Sequence, residues 1–206
     1  QLTQSQEDEL NPALSPKGTY VSFVRDRRLW AGKVGEAPQP VSPPESADTV
    51  HWGEAEFVAQ EEMARFTGYW WAPDDRRIAV QRFDDAPVGI VTRTAIGAES
   101  TKTFQQRYPV AGSPNSLVSL FVLSPDGQSR VEVDLGPDRD IYLARVNWSP
   151  DGKVLYVQLQ NREQTRLDML AVDPDTGKAR VLFTEKAAPK SWINLSSDYR
   201  FLKDGS

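Results

Sequence analysis

The sequence contains no cysteine, one histidine (His51) and no apolar run that approaches the roughly 18 residues needed to cross a bilayer. The first absence excludes disulfides, thiolate metal sites and a cysteine nucleophile. It leaves the compartment open, since a reduced cytosolic chain and a cysteine-free exported one look alike. A single histidine argues against a zinc site. His51 lies in Thr49-Val50-His51-Trp52-Gly53 with no nucleophile motif beside it, and reads as a turn or packing residue. The Gly-x-Ser-x-Gly elbow that presents the serine of an α/β-hydrolase is missing, so these residues hold no Ser-His-acid machinery. Asp173-Pro174-Asp175 lacks the spacing of an EF-hand loop and reads as a turn, and no cofactor is expected.

Basic clusters are scarce as well. The chain has 24 Lys and Arg against 29 Asp and Glu, a formal net charge of -5, which disfavours a phosphate backbone as partner and excludes nucleic-acid binding as the expected function. Arg25, Arg27 and Arg28, and again Arg76 and Arg77, flank turns and read as solvated hairpin ends. The start, Gln1 to Glu9, has neither the basic nor the apolar region of a leader peptide. It reads as the middle of a domain, and no membrane association is expected.

What is present is a repeated grammar. With 206 residues, 39% hydrophobic and 10% aromatic, there is enough apolar material for a core. Strand, Pro-Asp-Gly-like turn and second alternating strand recur at Asn11 to Val24, Tyr69 to Val80 and Val146 to Val157. Two further turns of the same kind are Ser124-Pro125-Asp126-Gly127 and Asp173-Pro174-Asp175-Thr176-Gly177. Proline presets φ, aspartate bonds back to nearby amides, and glycine takes the left-handed position that returns the chain. Each motif therefore predicts a hairpin in an all-β protein. Such hairpins, with an aromatic in the strand before the turn, suit propeller blades of roughly 40 to 50 residues, which predicts about four blades here. Irregular spacing, with an insert near Glu56 to Thr67 and an excursion over Gly97 to Asn115, separates them from WD-type repeats. A stack of separate β-sandwiches is the competing architecture.

One segment breaks the β pattern. Ala55 to Phe66 has few β-branched residues and good helix formers from Glu61 to Arg65, with Gly68 placed to stop a helix and Phe57, Met63 and Phe66 available as anchors. Glu61 and Glu62 project about 100° apart on a helix and cannot both face a core. Two readings compete. Either glutamate can pair with Arg65 on a solvated face, worth a few tenths of a kcal/mol. Alternatively both converge on one ammonium, whose three N–H donors match two anionic acceptors. Neighbouring acids on one short helix are badly placed to flank a glycosidic bond, which argues against glycosidase chemistry.

The run Glu56-Phe57-Val58-Ala59-Gln60-Glu61-Glu62-Met63, with Arg65 and Thr67-Gly68-Tyr69-Trp70-Trp71-Ala72-Pro73, resembles the double-glutamate segment of the dipeptidyl peptidase IV family. Tyr108-Pro109-Val110-Ala111-Gly112-Ser113-Pro114-Asn115 is similar to that family's Tyr-Pro-x-Ala-Gly-x-x-Asn element, and Trp148 to Gly152 followed by Gln160-Asn161-Arg162 extends the likeness. The chain departs from the family pattern at Gln60, where a third acid often stands, and at Ala64, where the bacterial form often has aspartate. The resemblance implies that residues 1–206 are part of an N-terminal domain, about half of an eight-bladed β-propeller, with the α/β-hydrolase domain absent from this chain. It further implies that Glu61 and Glu62 bind the α-amino group of a peptide substrate cut after an X-Pro dipeptide, in a parent serine exopeptidase that is a homodimer and, in its bacterial form, periplasmic. The alternative is a non-catalytic propeller that serves as a protein-interaction scaffold.

Overall fold

The computed structural model describes residues 7–196 and residue 200. The first sheet holds β1 (Leu10–Leu14), β2 (Tyr20–Arg25), β3 (Arg28–Lys33) and β4 (Gln39–Pro40), antiparallel and in chain order. The second begins with a strand in two pieces, β5 (Val50–Trp52) and β6 (Tyr69–Trp71), separated by helix α1 (Phe57–Glu62). Both pieces pair with β7 (Ile78–Asp84), β5 along its last residues and β6 along its first. A two-stranded hairpin, β8 (Ile90–Ile96) with β9 (Thr101–Arg107), then leaves the sheet before β10 (Leu117–Leu123) and β11 (Arg130–Glu132) complete it. The third sheet is β12 (Ile141–Trp148), β13 (Leu155–Asn161), β14 (Arg166–Val172) and β15 (Ala179–Lys186), again antiparallel in chain order.

The sheets pack face to face, and the period of two along β7 shows how. Ile78 and Val80 join Val24, Leu29, Trp52 and Leu123 in the core between the first and second sheets. Ala79 and Phe83 point the other way, into a core with Leu120, Val122, Leu143, Leu155, Val157 and Leu170 that joins the second sheet to the third. A strand covered on both faces reads as a continuous apolar run, and β7 is buried at five of its seven positions for that reason. Successive four-stranded sheets stacked through such cores are propeller blades. Among the described residues three of them stand where the turn spacing predicts about four. The insert carrying α1 and the β8–β9 hairpin take up the difference, and the excursion expected over Gly97 to Asn115 proves to be that hairpin, starting at Ile90.

The Pro-Asp turns do more than reverse the chain. Asp75, in the turn between β6 and β7 at φ 63°, accepts hydrogen bonds from the Ser15 hydroxyl (2.7 Å) and from the amides of Lys17 (3.1 Å) and Thr19 (3.3 Å) in the β1–β2 turn. Arg77, from the same turn, reaches the opposite way to the Asp175 carboxylate (2.6 Å) and the Gly152 carbonyl (2.8 Å) of the third blade, its guanidinium lying over Trp148. One turn thus fastens three blades. Arg77 and Arg25, which stacks 4.0 Å from the Trp30 ring centroid and pairs with Glu9, are structural groups rather than the solvated hairpin ends expected of them.

Burial by itself would raise the Asp75 pKa, but the bonds from Ser15, Lys17 and Thr19 outweigh it and hold the carboxyl below its ordinary value. A folded pKa below the unfolded one, about 3.9, gives stability that is present above that value and disappears as pH falls through the folded pKa. Asp75→Asn is therefore expected to lower stability at neutral pH by about 1–3 kcal/mol. It should also flatten the acid limb of the stability curve. Urea midpoints measured at neutral pH and at about pH 3 check both; an unchanged acid limb in the variant contradicts the assignment.

Candidate functional site

The break between β5 and β6 is where the chain leaves the ladder and comes back. Gly53 and Gly68 form its neck: the Gly68 amide donates to the Gly53 carbonyl (2.9 Å), with a bridge between Glu54 and Thr67 just beyond. Opposite the gap on β7 sits Gln81, fully buried, whose carbonyl accepts from Gly53 (2.9 Å) and whose amide donates to Gly68 (2.7 Å). The two legs run so close that a β-carbon on Gly68 would lie 2.1 Å from the Glu54 carbonyl oxygen. Glycine at 68 answers this backbone approach and does not stop the helix as the sequence suggested.

The helix is shorter than expected, six residues in place of the Ala55 to Phe66 span. Its stop is Ala64, at φ 51°, after which the Arg65 amide comes back to the Ala59 carbonyl (3.0 Å) and the Arg65 side chain is buried. Ala55, Ala59 and Met63 form its buried side, packed on Tyr142 and Ala144 of β12. Phe57 meets the Tyr108 ring edge-on at 4.9 Å. Phe66 is 63% exposed and anchors nothing, contrary to expectation. Its carbonyl is held instead, by the Asn11 side chain (3.1 Å) and the Ala55 amide (3.3 Å). Gln60 donates its side-chain amide to the Ala55 carbonyl (2.6 Å), a bond that a glutamate in that position could not make.

Beneath the helix lies a buried polar network. The Glu56 carboxylate accepts from the Gln81 side chain (2.6 Å) and from Arg65 (3.3 Å). Arg65 also donates to the carbonyls of Thr67 (3.0 Å) and Leu143 (2.9 Å), and its guanidinium stands 5.7 Å from the Trp70 ring centroid. Burial, opposed by the Glu56 charge and reinforced by Arg145, pushes the Arg65 pKa below its ordinary value. The guanidinium nevertheless carries its charge at neutral pH.

Glu61 and Glu62 are both exposed on the last turn of α1. Among the described residues neither takes part in an ion pair or a side-chain hydrogen bond, and Arg65, the partner sequence spacing offers, is occupied by Glu56. The structure thus removes the surface salt bridge and leaves two carboxylates side by side on a firmly seated insert. Sequence reasoning missed Glu56 and Gln81 as the groups that seat it. His51 packs as expected, its ring stacked on Phe83 (4.6 Å between centroids, 7° between planes) and its Nδ1 3.4 Å from the Glu54 carboxylate.

Stacked antiparallel blades with an acid-bearing insert interrupting one strand define the chain as part of a β-propeller. Over residues 1–206 it matches the dipeptidyl peptidase IV (DPP IV) N-terminal region, and it belongs to that family. It is similar to dipeptidyl peptidase 8 of Homo sapiens, at 31% identity over 199 residues, covering 81% of this chain and 22% of the relative. It is also similar to the probable dipeptidyl-aminopeptidase B of Aspergillus oryzae, at 26% identity, covering 91% and 23%. Among solved structures, dipeptidyl peptidase 4 of Porphyromonas gingivalis superposes with a TM-score of 0.83 at 24% identity, over 93% of this chain and 27% of that one, a likeness of fold. The chain spans less than a third of the length of these relatives.

The backbone of the insert yields a direct test. Ala64 pays a left-handed penalty that glycine avoids, so Ala64→Gly should raise stability by up to about 1 kcal/mol. Gly68→Ala should lower it by 2 kcal/mol or more, roughly, because backbone must shift on both legs. Thermal melts of the two variants, moving in opposite directions, check the geometry of the neck and the helix stop.

Proposed function

We propose that this chain is the substrate-recognition portion of a serine exopeptidase that releases X-Pro dipeptides, with Glu61 and Glu62 binding the free α-amino group. The observation that carries the reading is the state of the pair. Among the described residues the two exposed carboxylates stand without a partner, on an insert whose underside is buried and hydrogen-bonded into two blades. An α-ammonium offers three donors, and charge-assisted bonds of about 1.5–3 kcal/mol each make two carboxylates a selective receptor for it. Membership of the dipeptidyl peptidase IV family supports the substrate class.

In this reading the propeller performs no bond cleavage. Holding the amino terminus at a fixed point sets which carbonyl reaches the serine of the hydrolase domain, so the pair measures two residues from the chain start. Orientation of this kind contributes several kcal/mol towards the barrier. A residue placed ahead of the dipeptide would have to occupy the space of the carboxylates, which excludes longer extensions. The hydrolase domain and the remaining blades belong to the same parent protein, and the exposed Val181, Leu182 and Phe183 on β15 suit packing by a following blade.

The parent is further proposed to be a homodimer, and resemblance to the bacterial branch supports a periplasmic location. The β8–β9 hairpin supports the dimer: it forms a sheet of only two strands, with Ile90, Ile96 and Phe104 exposed. A lone hairpin is marginal in water, and among the described residues neither of its edges pairs with another strand, so a second copy would complete the sheet.

In the full-length parent, Glu61→Gln and Glu62→Gln are each expected to lower kcat/KM for an X-Pro chromogenic substrate with a free amino group by roughly 10- to 100-fold. Activity unchanged in both variants would identify the pair as surface decoration and favour the interaction-scaffold reading. Replacing the hairpin, residues 90–107, by a short glycine turn should convert the dimer to monomer in sedimentation experiments; a dimer that survives the deletion places the interface elsewhere.

A further inference from the structure

We propose that Arg65 is a positioning residue for amino-terminus recognition, acting with Glu56 to fix where Glu61 and Glu62 stand relative to the second and third blades. The inference rests on the reading of the pair given above and adds to it the group that sets its geometry. A helix of six residues has no autonomous stability in water. The N-cap residue of α1, Glu56, makes no side-chain capping bond, because its carboxylate is turned inward to Gln81 and Arg65. The position of the helix must therefore come from outside it.

Two sources are available. The apolar underside, Ala55, Ala59 and Met63 on Tyr142 and Ala144, supplies attraction, but apolar contact is non-directional and defines sliding poorly. Directed bonds define it well, and Arg65 makes them to three separate segments. It holds the Thr67 carbonyl on the returning leg, the Glu56 carboxylate on the outgoing leg, and the Leu143 carbonyl of β12, an edge strand with a bulge between Leu143 and Arg145. Glu56 continues the chain of bonds to Gln81 on β7. The helix bearing the glutamates is thus strung between two residues, one before it and one after it, that are bonded to each other and to neighbouring blades. Lysine cannot reproduce this: a point ammonium lacks the planar spread of donors that spans three acceptors.

A positioning role is distinguished from a merely structural one by its dependence on the glutamates. In the full-length parent, kcat/KM for a free-amino X-Pro chromogenic substrate is measured for wild type, Arg65→Lys, the Glu61→Gln/Glu62→Gln double variant and the triple combination, with a thermal melt of each. Arg65→Lys is expected to lower kcat/KM about tenfold in the wild-type background, as a displacement on the order of 1 Å does. In the double-variant background it should lower it less than about twofold, the signature of coupled sites. Glu56→Gln, which preserves shape, should give the same pattern. An equal loss in both backgrounds, or no loss in either, overturns the positioning role while leaving the glutamate reading intact. A double variant as active as wild type overturns that reading, and this inference with it.

Discussion

The organisation of the site depends on one buried glutamine. Gln81 lies opposite the gap between β5 and β6, and its backbone carbonyl and amide hold the two glycines at which the insert departs and returns. Its side-chain amide meets the Glu56 carboxylate beneath the helix. A backbone N–H and C=O facing a missing stretch of strand would be orphaned in the core at a cost of about 1–3 kcal/mol apiece. Here the neck glycines satisfy them, so the ladder stays closed while fourteen-odd residues leave it. The excursion is compatible with the blade because its two legs touch across a spacing only glycine permits at position 68.

The blades themselves are held by the same residues that turn the chain. Aspartate in a Pro-Asp turn commonly bonds its own following amides, and Asp126 and Asp151 do so at Gln128 and Lys153. Asp74 does the same at Arg76, and Asp75, in the position that glycine takes in the other two turns and left-handed like it, serves the turn of the preceding blade. Arg77 two residues later serves the following one. A single short turn therefore ties three sheets together, alongside the Trp71–Ser22 bond between the first and second and the Trp148–Trp70 bond between the second and third.

How much of this was legible from sequence divides along the range of the interactions. The hairpins were legible, because proline, aspartate and glycine act within four residues. The position and polarity of the insert were legible too, because helix formers interrupting a β pattern are a local signal. What escaped detection is long-range. Nothing in the spacing of Glu56, Arg65 and Gln81 marks them as partners, and the i,i+4 rule pointed Arg65 at Glu61 because that rule assumes a helix continuing through residue 65. The helix ends at Glu62, and Ala64 swings Arg65 under it. Phe66 misled for the same reason, since its anchoring role presumed a helical face that the chain never forms there.

That early termination also bears on binding. Had the helix continued, Arg65 would lie one turn beyond Glu61 and three residues from Glu62, close enough for its guanidinium to compete with any incoming ammonium for the same oxygens. Such a pair contributes only about 0.2–0.5 kcal/mol to a helix. It would nevertheless have to be broken before a ligand could bind, and its loss would be subtracted from every affinity. Drawn inward, Arg65 neutralises Glu56 in a site where an unpaired carboxylate would be far more costly than at the surface. The insert thereby separates its charges by depth: Arg65 and Glu56 cancel in the interior, Glu54 stands beside His51 at the neck, and Glu61 and Glu62 face solvent with no ion pair among the described residues. The proposed binding of a positive group needs that surplus of negative charge, and the left-handed alanine that shortens the helix keeps Arg65 from cancelling it.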